Sequence, residues 1–126
     1  MGSLIEKEEA VRDFLLELKD VMSKPIGALP SWVLVPRQEN LGCLAELEWD
    51  NDDVAALIYS LSVEDYSSGP LKDRDEKGDV WIFGKKVFGA ELYVKLKLAS
   101  LGSLKRVRII SLHEADQPLS YPYGRK

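Results

Sequence analysis

At 126 residues, with 45% hydrophobic and 30% charged side chains, the chain has the size and composition of one soluble globular domain with an ordinary core. A lone cysteine, Cys43, and a lone histidine, His113, rule out an intramolecular disulfide and all but rule out a His/Cys metal site; no apolar run approaches the roughly 20 residues of a membrane span, and an acidic, amphipathic start is unlike a secretory leader, so a cytoplasmic protein is expected. The net charge of −4 argues against general nucleic-acid affinity, but it hides a division: residues 1–79 carry eight Lys+Arg against 18 Asp+Glu, and residues 80–126 nine against three.

In chain order, Ser3 to Met22 reads as a helix. Ser3 and Glu6 have the spacing of a capping box, and Val11, Phe14, Leu15, Leu18, Val21 and Met22 form one apolar stripe. Lys24-Pro25 ends it. Trp32 to Val35, between Pro30 and Pro36, is either a strand or an extended segment on the core. Glu39 to Leu47 is expected to be a short helix with Leu41, Leu44, Ala45 and Leu47 inward. Cys43 has no acid or histidine at motif spacing and reads as a small packed residue rather than a nucleophile. Asp50 to Leu61 is a second strong helix, with Val54, Leu57, Ile58 and Leu61 buried. Asp50, Asp52 and Asp53 fall in its first turn, where carboxylates complement the helix dipole, and no metal is needed to explain them. Ser62 and Asp65 have capping spacing for one more turn, ending at Tyr66. Ser67 to Asp79 reads as a long polar loop. Asp73, Asp75 and Gly78 hint at a calcium loop, but Lys77 stands at a ligand position and Gly84 where the bidentate glutamate belongs, so calcium is rejected.

Val80 to His113 alternates with period two and contains two turn signals, which predicts three consecutive antiparallel strands. A turn at Gly89-Ala90 would set Phe88 opposite Glu91. A turn at Leu101-Gly102 would set Lys97 opposite Arg106 and Lys95 opposite Arg108. Trp81, Phe83, Val87, Leu92, Val94, Leu96 and Leu98 then share the apolar face. Lys86, Tyr93, Lys95, Lys97, Arg106 and Arg108 share the other, with Ile82 and Gly84. Like charges directly opposite one another destabilise a sheet, so this face is a candidate anion site. A solvated face whose lysines discourage edge pairing explains the same pattern. Glu114 to Lys126 has two prolines and two tyrosines and is expected to lie as an irregular tail against the surface. The expectation is therefore a single α+β domain over 1–126: a helical part at about 3–66, a charged loop at 67–79, a three-stranded sheet at 80–113 and a tail at 114–126.

The chain has no Gly-rich phosphate loop, no Ser-His-Asp motif and no carboxylate pair at catalytic spacing. Tyr93, His113 and the sheet cations remain, and those residue types can cleave RNA without a metal or other cofactor. One group takes the proton of a ribose 2′-OH, which attacks the adjacent phosphate, and another protonates the departing 5′-oxygen. Cations stabilise the charge on the phosphoryl oxygens. Imidazole is the natural group to move a proton near neutral pH. A strand-end histidine with an ordinary hydrogen bond, and an amphipathic sheet tyrosine, explain the same residues without chemistry. In an unbroken register, moreover, His113 points away from the face of Tyr93, and only twist or a bulge near the strand end would bring them together.

Several segments carry a family resemblance: Ile58-Tyr59-Ser60-Leu61-Ser62-Val63-Glu64-Asp65-Tyr66, then Val80-Trp81, Glu91-Leu92-Tyr93-Val94-Lys95, and Ile109-Ile110-Ser111-Leu112-His113-Glu114. Between about Phe14 and Ala115 the chain resembles the MqsR-like bacterial toxins, mRNA interferases with a RelE-like fold. The resemblance implies helices packed on a small antiparallel sheet, mRNA as substrate, possible action on the ribosome and a cognate antitoxin as partner. Tyr93 matches the family's middle-strand catalytic tyrosine, and His113 stands where the family has a C-terminal lysine. The family's glutamine after the tryptophan is Ile82 here. Ser67 and Ser68 stand where it has a lysine, a role for which Lys72 or Lys85 is the substitute. Together with the basic sheet face, the candidate site is Tyr93 and His113 for catalysis, with Lys85, Lys86, Lys95, Lys97, Arg106 and Arg108 for phosphate. A non-catalytic RNA- or protein-binding domain of the same fold is the alternative.

Overall fold

The computed structural model of the chain describes residues 5–25, 27 and 29–124. The elements run α1 (Glu8–Met22), β1 (Trp32–Leu34), α2 (Gln38–Leu47), α3 (Asn51–Ser60), β2 (Tyr66–Lys72), β3 (Asp79–Val87), β4 (Ala90–Leu101) and β5 (Leu104–Glu114), with a 3-10 turn at Val63–Asp65. They make an α+β fold around one sheet of order β1-β5-β4-β3-β2. β1 is parallel to β5 and all other neighbours are antiparallel. The three predicted strands are its centre, and two more flank them, which corrects the expectation of a three-stranded sheet.

The first addition, β1, is the proline-bounded Trp32 segment. The second, β2, takes up residues 67–72 of the expected loop. Its composition misleads because an edge strand can be polar and can hold a proline whose missing N–H is not needed on the outer side. The ladder to β3 slips on either side of Ser68, around Gly69-Pro70. Gly69 sits at φ 109, and a Cβ there would lie 2.8 Å from the Val80 carbonyl oxygen, so the close approach of β2 to β3 requires glycine.

One sheet face carries the core. Val11, Phe14, Leu15, Leu18 and Met22 of α1 and Val54, Leu57 and Ile58 of α3 pack over Phe83, Leu92, Val94, Leu96, Val107, Ile109 and Leu112. Phe14 stacks on Trp81 at 4.3 Å between ring centroids. Both apolar stripes are as the sequence predicts. The start of α1 is later than expected: Ile5 bridges to Gly69 and the Glu6 N–H donates to the Tyr66 hydroxyl, so this stretch is extended. Ser3, the expected cap, lies outside the described residues. The first turn of α3 is capped, with the Asp50 and Asp53 carboxylates each accepting the other's backbone N–H. No described helix is long and apolar enough to cross a membrane.

Both hairpin turns differ from expectation by one residue. Val87 pairs with Ala90 around Phe88-Gly89, both in the left-handed region at φ 51 and 83. Leu101 pairs with Leu104 around Gly102-Ser103. A two-residue loop of this kind twists with its strands. Lys97 therefore faces Arg108 rather than Arg106. Moving a turn by one residue moves each partner by two, so the change of turn by itself leaves every side chain on its predicted face.

Candidate active site

The face away from the helices carries the sequence-predicted residues, and a bulge arranges them. Lys95 pairs with Ser111 but the next residue, Leu96, pairs with Ile109, which leaves Ile110 unpaired on β5. The extra residue reverses the side-chain parity of everything after it. His113 thereby moves to the open face and stands directly opposite Tyr93, with their rings stacked at 5.5 Å and 21°. The two side chains that unbroken alternation separates are neighbours.

Asn40 holds this bulge. It is fully buried. Its amide nitrogen donates to the carbonyls of Val35 (2.9 Å) and Ile110 (3.0 Å), and its oxygen accepts the Leu112 N–H at 2.9 Å. β1 stops just before this point, with the Val35 N–H donating to Ile109. The side-chain amide thus continues the ladder where the backbone leaves off. Sequence reasoning missed it. Asn40, Cys43, Leu44 and Leu47 form the inward stripe of α2, whereas Leu41 and Ala45, expected inward, are exposed. Apolar periodicity gives no weight to a polar residue, so a buried asparagine at the head of that stripe carries no signal in it.

His113 Nδ1 lies 3.0 Å from the Glu114 carbonyl oxygen, which can only accept, so in the neutral ring the hydrogen belongs on Nδ1 and Nε2 is the acceptor. Burial raises the pKa of the Tyr93 phenol, keeping it protonated at neutral pH. Lys95 and Ser111 form the next pair on this face. A groove of about 580 Å³ is lined by Tyr93, Lys95, Ser111 and His113 and closed on one side by Asp116 to Leu119 of the tail. The tail is anchored by Glu91, which accepts the Leu119 N–H at 3.0 Å and the Tyr121 hydroxyl at 2.7 Å. It crosses the sheet over Gly84, where a Cβ would lie 2.6 Å from Leu119 Cδ1.

The cations divide. Lys97 is almost fully buried and donates to Asp73 at 2.7 Å, with Glu76 at 3.9 Å. Arg108 pairs with Glu76 at 2.9 Å. The anion that these opposed cations hold is the chain's own loop, which corrects their assignment as free phosphate ligands. Lys85 is on the helix face, donating to Asp65 at 3.1 Å, and is remote from Tyr93 by facing. Lys86, Lys95 and Arg106 lie on the open face with no ion pair among the described residues, and Arg106 Nε is buried without a hydrogen-bond partner. Lys72 is exposed at the end of β2. Burial and the carboxylates of Glu46 and Glu114 raise the pKa of the Cys43 thiol, the opposite of a nucleophile's environment. Among the described residues no group of three His, Cys, Asp or Glu could hold a metal.

No protein-family model, curated protein or solved structure matches the chain.

Proposed function

We propose that the chain is a cytoplasmic, toxin-like endoribonuclease that cleaves mRNA without a metal, of the kind the MqsR-like resemblance implies, on a RelE-like fold and under the control of an antitoxin. The observation that carries this is the Tyr93–His113 pair, brought by the bulge onto the open sheet face beside Lys95. His113 Nε2 takes the proton of a ribose 2′-OH, and the oxygen forms a bond to the adjacent phosphorus. The bond from phosphorus to the 5′-oxygen breaks, and that oxygen takes the Tyr93 phenolic proton. Lys95 offsets the charge on the non-bridging oxygens. The products are a 2′,3′-cyclic phosphate and a 5′-hydroxyl. The proton on His113 then returns, through water, to the tyrosine. The need for a 2′-OH restricts the reaction to RNA.

One observation favours a second reading. Asp73 and Glu76 already occupy Lys97 and Arg108, and the stacked rings of Tyr93 and His113 would also serve a binding protein as a platform for a base. His113→Phe separates the two, because it keeps a ring and loses the proton carrier. With purified protein, and with ribosomes added in a parallel reaction, Tyr93→Phe and His113→Phe should each lower RNA cleavage by roughly 10²–10⁴-fold. Full cleavage in both variants would remove these residues from the chemistry. No cleavage by the parent, with RNA binding equal in the parent and His113→Phe, would establish the platform.

A further inference from the structure

A second cavity, of about 560 Å³, opens beside the groove. Tyr93 and Lys95 line both, so the two spaces adjoin at these side chains. The new cavity has an apolar floor, in which Ile82 and the bulged Ile110 flank Lys95 on the two neighbouring strands, and a cationic rim of Arg37, Lys72 and Arg74. Asp73 and Asp75 also border it. The charge of Asp73 is met by Lys97 outside the cavity, and Asp75 lies 3.9 Å from Arg37. Arg74, Lys72 and Lys95 have no ion pair among the described residues, so the rim keeps a positive excess.

We propose that this cavity is a subsite for single-stranded RNA that receives the nucleotide next to the cleaved phosphate, with its base on the Ile82–Ile110 floor and its phosphate on Arg74 and Arg37. The inference rests on the reading of Tyr93 and His113 as the cleaving pair and adds what binds beside them. An apolar floor takes the face of any base, and guanidinium groups take phosphate oxygens in pairs, which is how unpaired strands are held without base-specific hydrogen bonds. A paired base would have both its faces and its edge already engaged, so the strand entering here is single.

The test uses the whole chain and two sets of short oligonucleotides. One set is DNA with a single ribonucleotide, so that only one step can be cut. The other is fully 2′-O-methylated and binds without reacting. Each is made as a dinucleotide and lengthened by one nucleotide on either side. Lengthening on one side alone should raise kcat/KM, and tighten binding of the methylated strand, by about tenfold. In Arg37→Ala/Arg74→Ala both ratios of longer to shorter strand should fall to within about twofold of one. Both side chains are exposed, so the variant should melt with the parent. Equal ratios in parent and variant, or no gain on lengthening, would overturn the subsite. Absence of cleavage at every length, with the length- and arginine-dependent binding intact, would overturn the cleavage reading and leave the subsite standing.

Discussion

The amide of Asn40 replaces two backbone groups at the point where β1 ends, and the Ile110 carbonyl and Leu112 N–H have no strand beside them there. Asn40→Ala leaves both buried and unpaired, at a cost of roughly 1–3 kcal/mol for each group left unsatisfied. If the bulge relaxes, His113 returns to unbroken alternation and leaves Tyr93. The variant should therefore be less stable by about 2–6 kcal/mol in urea titration. Under conditions where it remains folded, it should still lose RNA cleavage through kcat, and the His113 ring protons should lose the shift imposed by the stacked Tyr93 ring. Retained kcat and an unchanged His113 spectrum would show that the bulge stands without the amide. At this scale the sequence named both ring residues but not their relation. Alternation is a property of neighbours along one strand, whereas the bulge depends on an amide 70 residues away.

The strands β3, β4 and β5 were legible because apolar and polar residues alternate along most of their length, and period two survives any error in the turn. β2 and the segment after it were not, because what orders them is the rest of the sheet. Polar residues 73–78 fold back over the open face, where Asp73 meets a lysine whose side chain is only 3% exposed. The Lys97 ammonium and the Asp75 N–H hold the Asp73 carboxyl below its usual pKa. A carboxyl depressed in the folded state stabilises the fold above its unfolded value of about 3.9, and that contribution is lost as pH falls through the lower folded value. Asp73→Asn keeps the shape but takes from the buried ammonium its 2.7 Å carboxylate and leaves it only Glu76 at 3.9 Å, a change that costs up to roughly 3–5 kcal/mol. Urea midpoints measured from pH 7 to pH 2 should show a large gap between parent and variant at neutral pH that closes below about pH 4. Parallel curves would mean that the pair contributes nothing specific to the fold.

For the whole molecule, the charge division read from the sequence turns out to be partly healed within the fold: acids of the acidic half lie on cations of the basic half. The basic face open to RNA is consequently narrower than the count of nine Lys+Arg in residues 80–126 suggests. Lys95, beside Tyr93 and without an ion pair among the described residues, should behave as a phosphate ligand. Arg108, already held by Glu76, should not. Each phosphate contact to a single strand contributes about 0.7 to the slope of log K against log salt. Binding of a 2′-O-methyl single strand measured between low and physiological salt should therefore lose about 0.7 of that slope in Lys95→Ala and keep it in Arg108→Gln. Equal flattening in the two variants would mean that RNA displaces the 73–78 loop from Arg108, and that the open face seen here is only the part of the site available before RNA arrives.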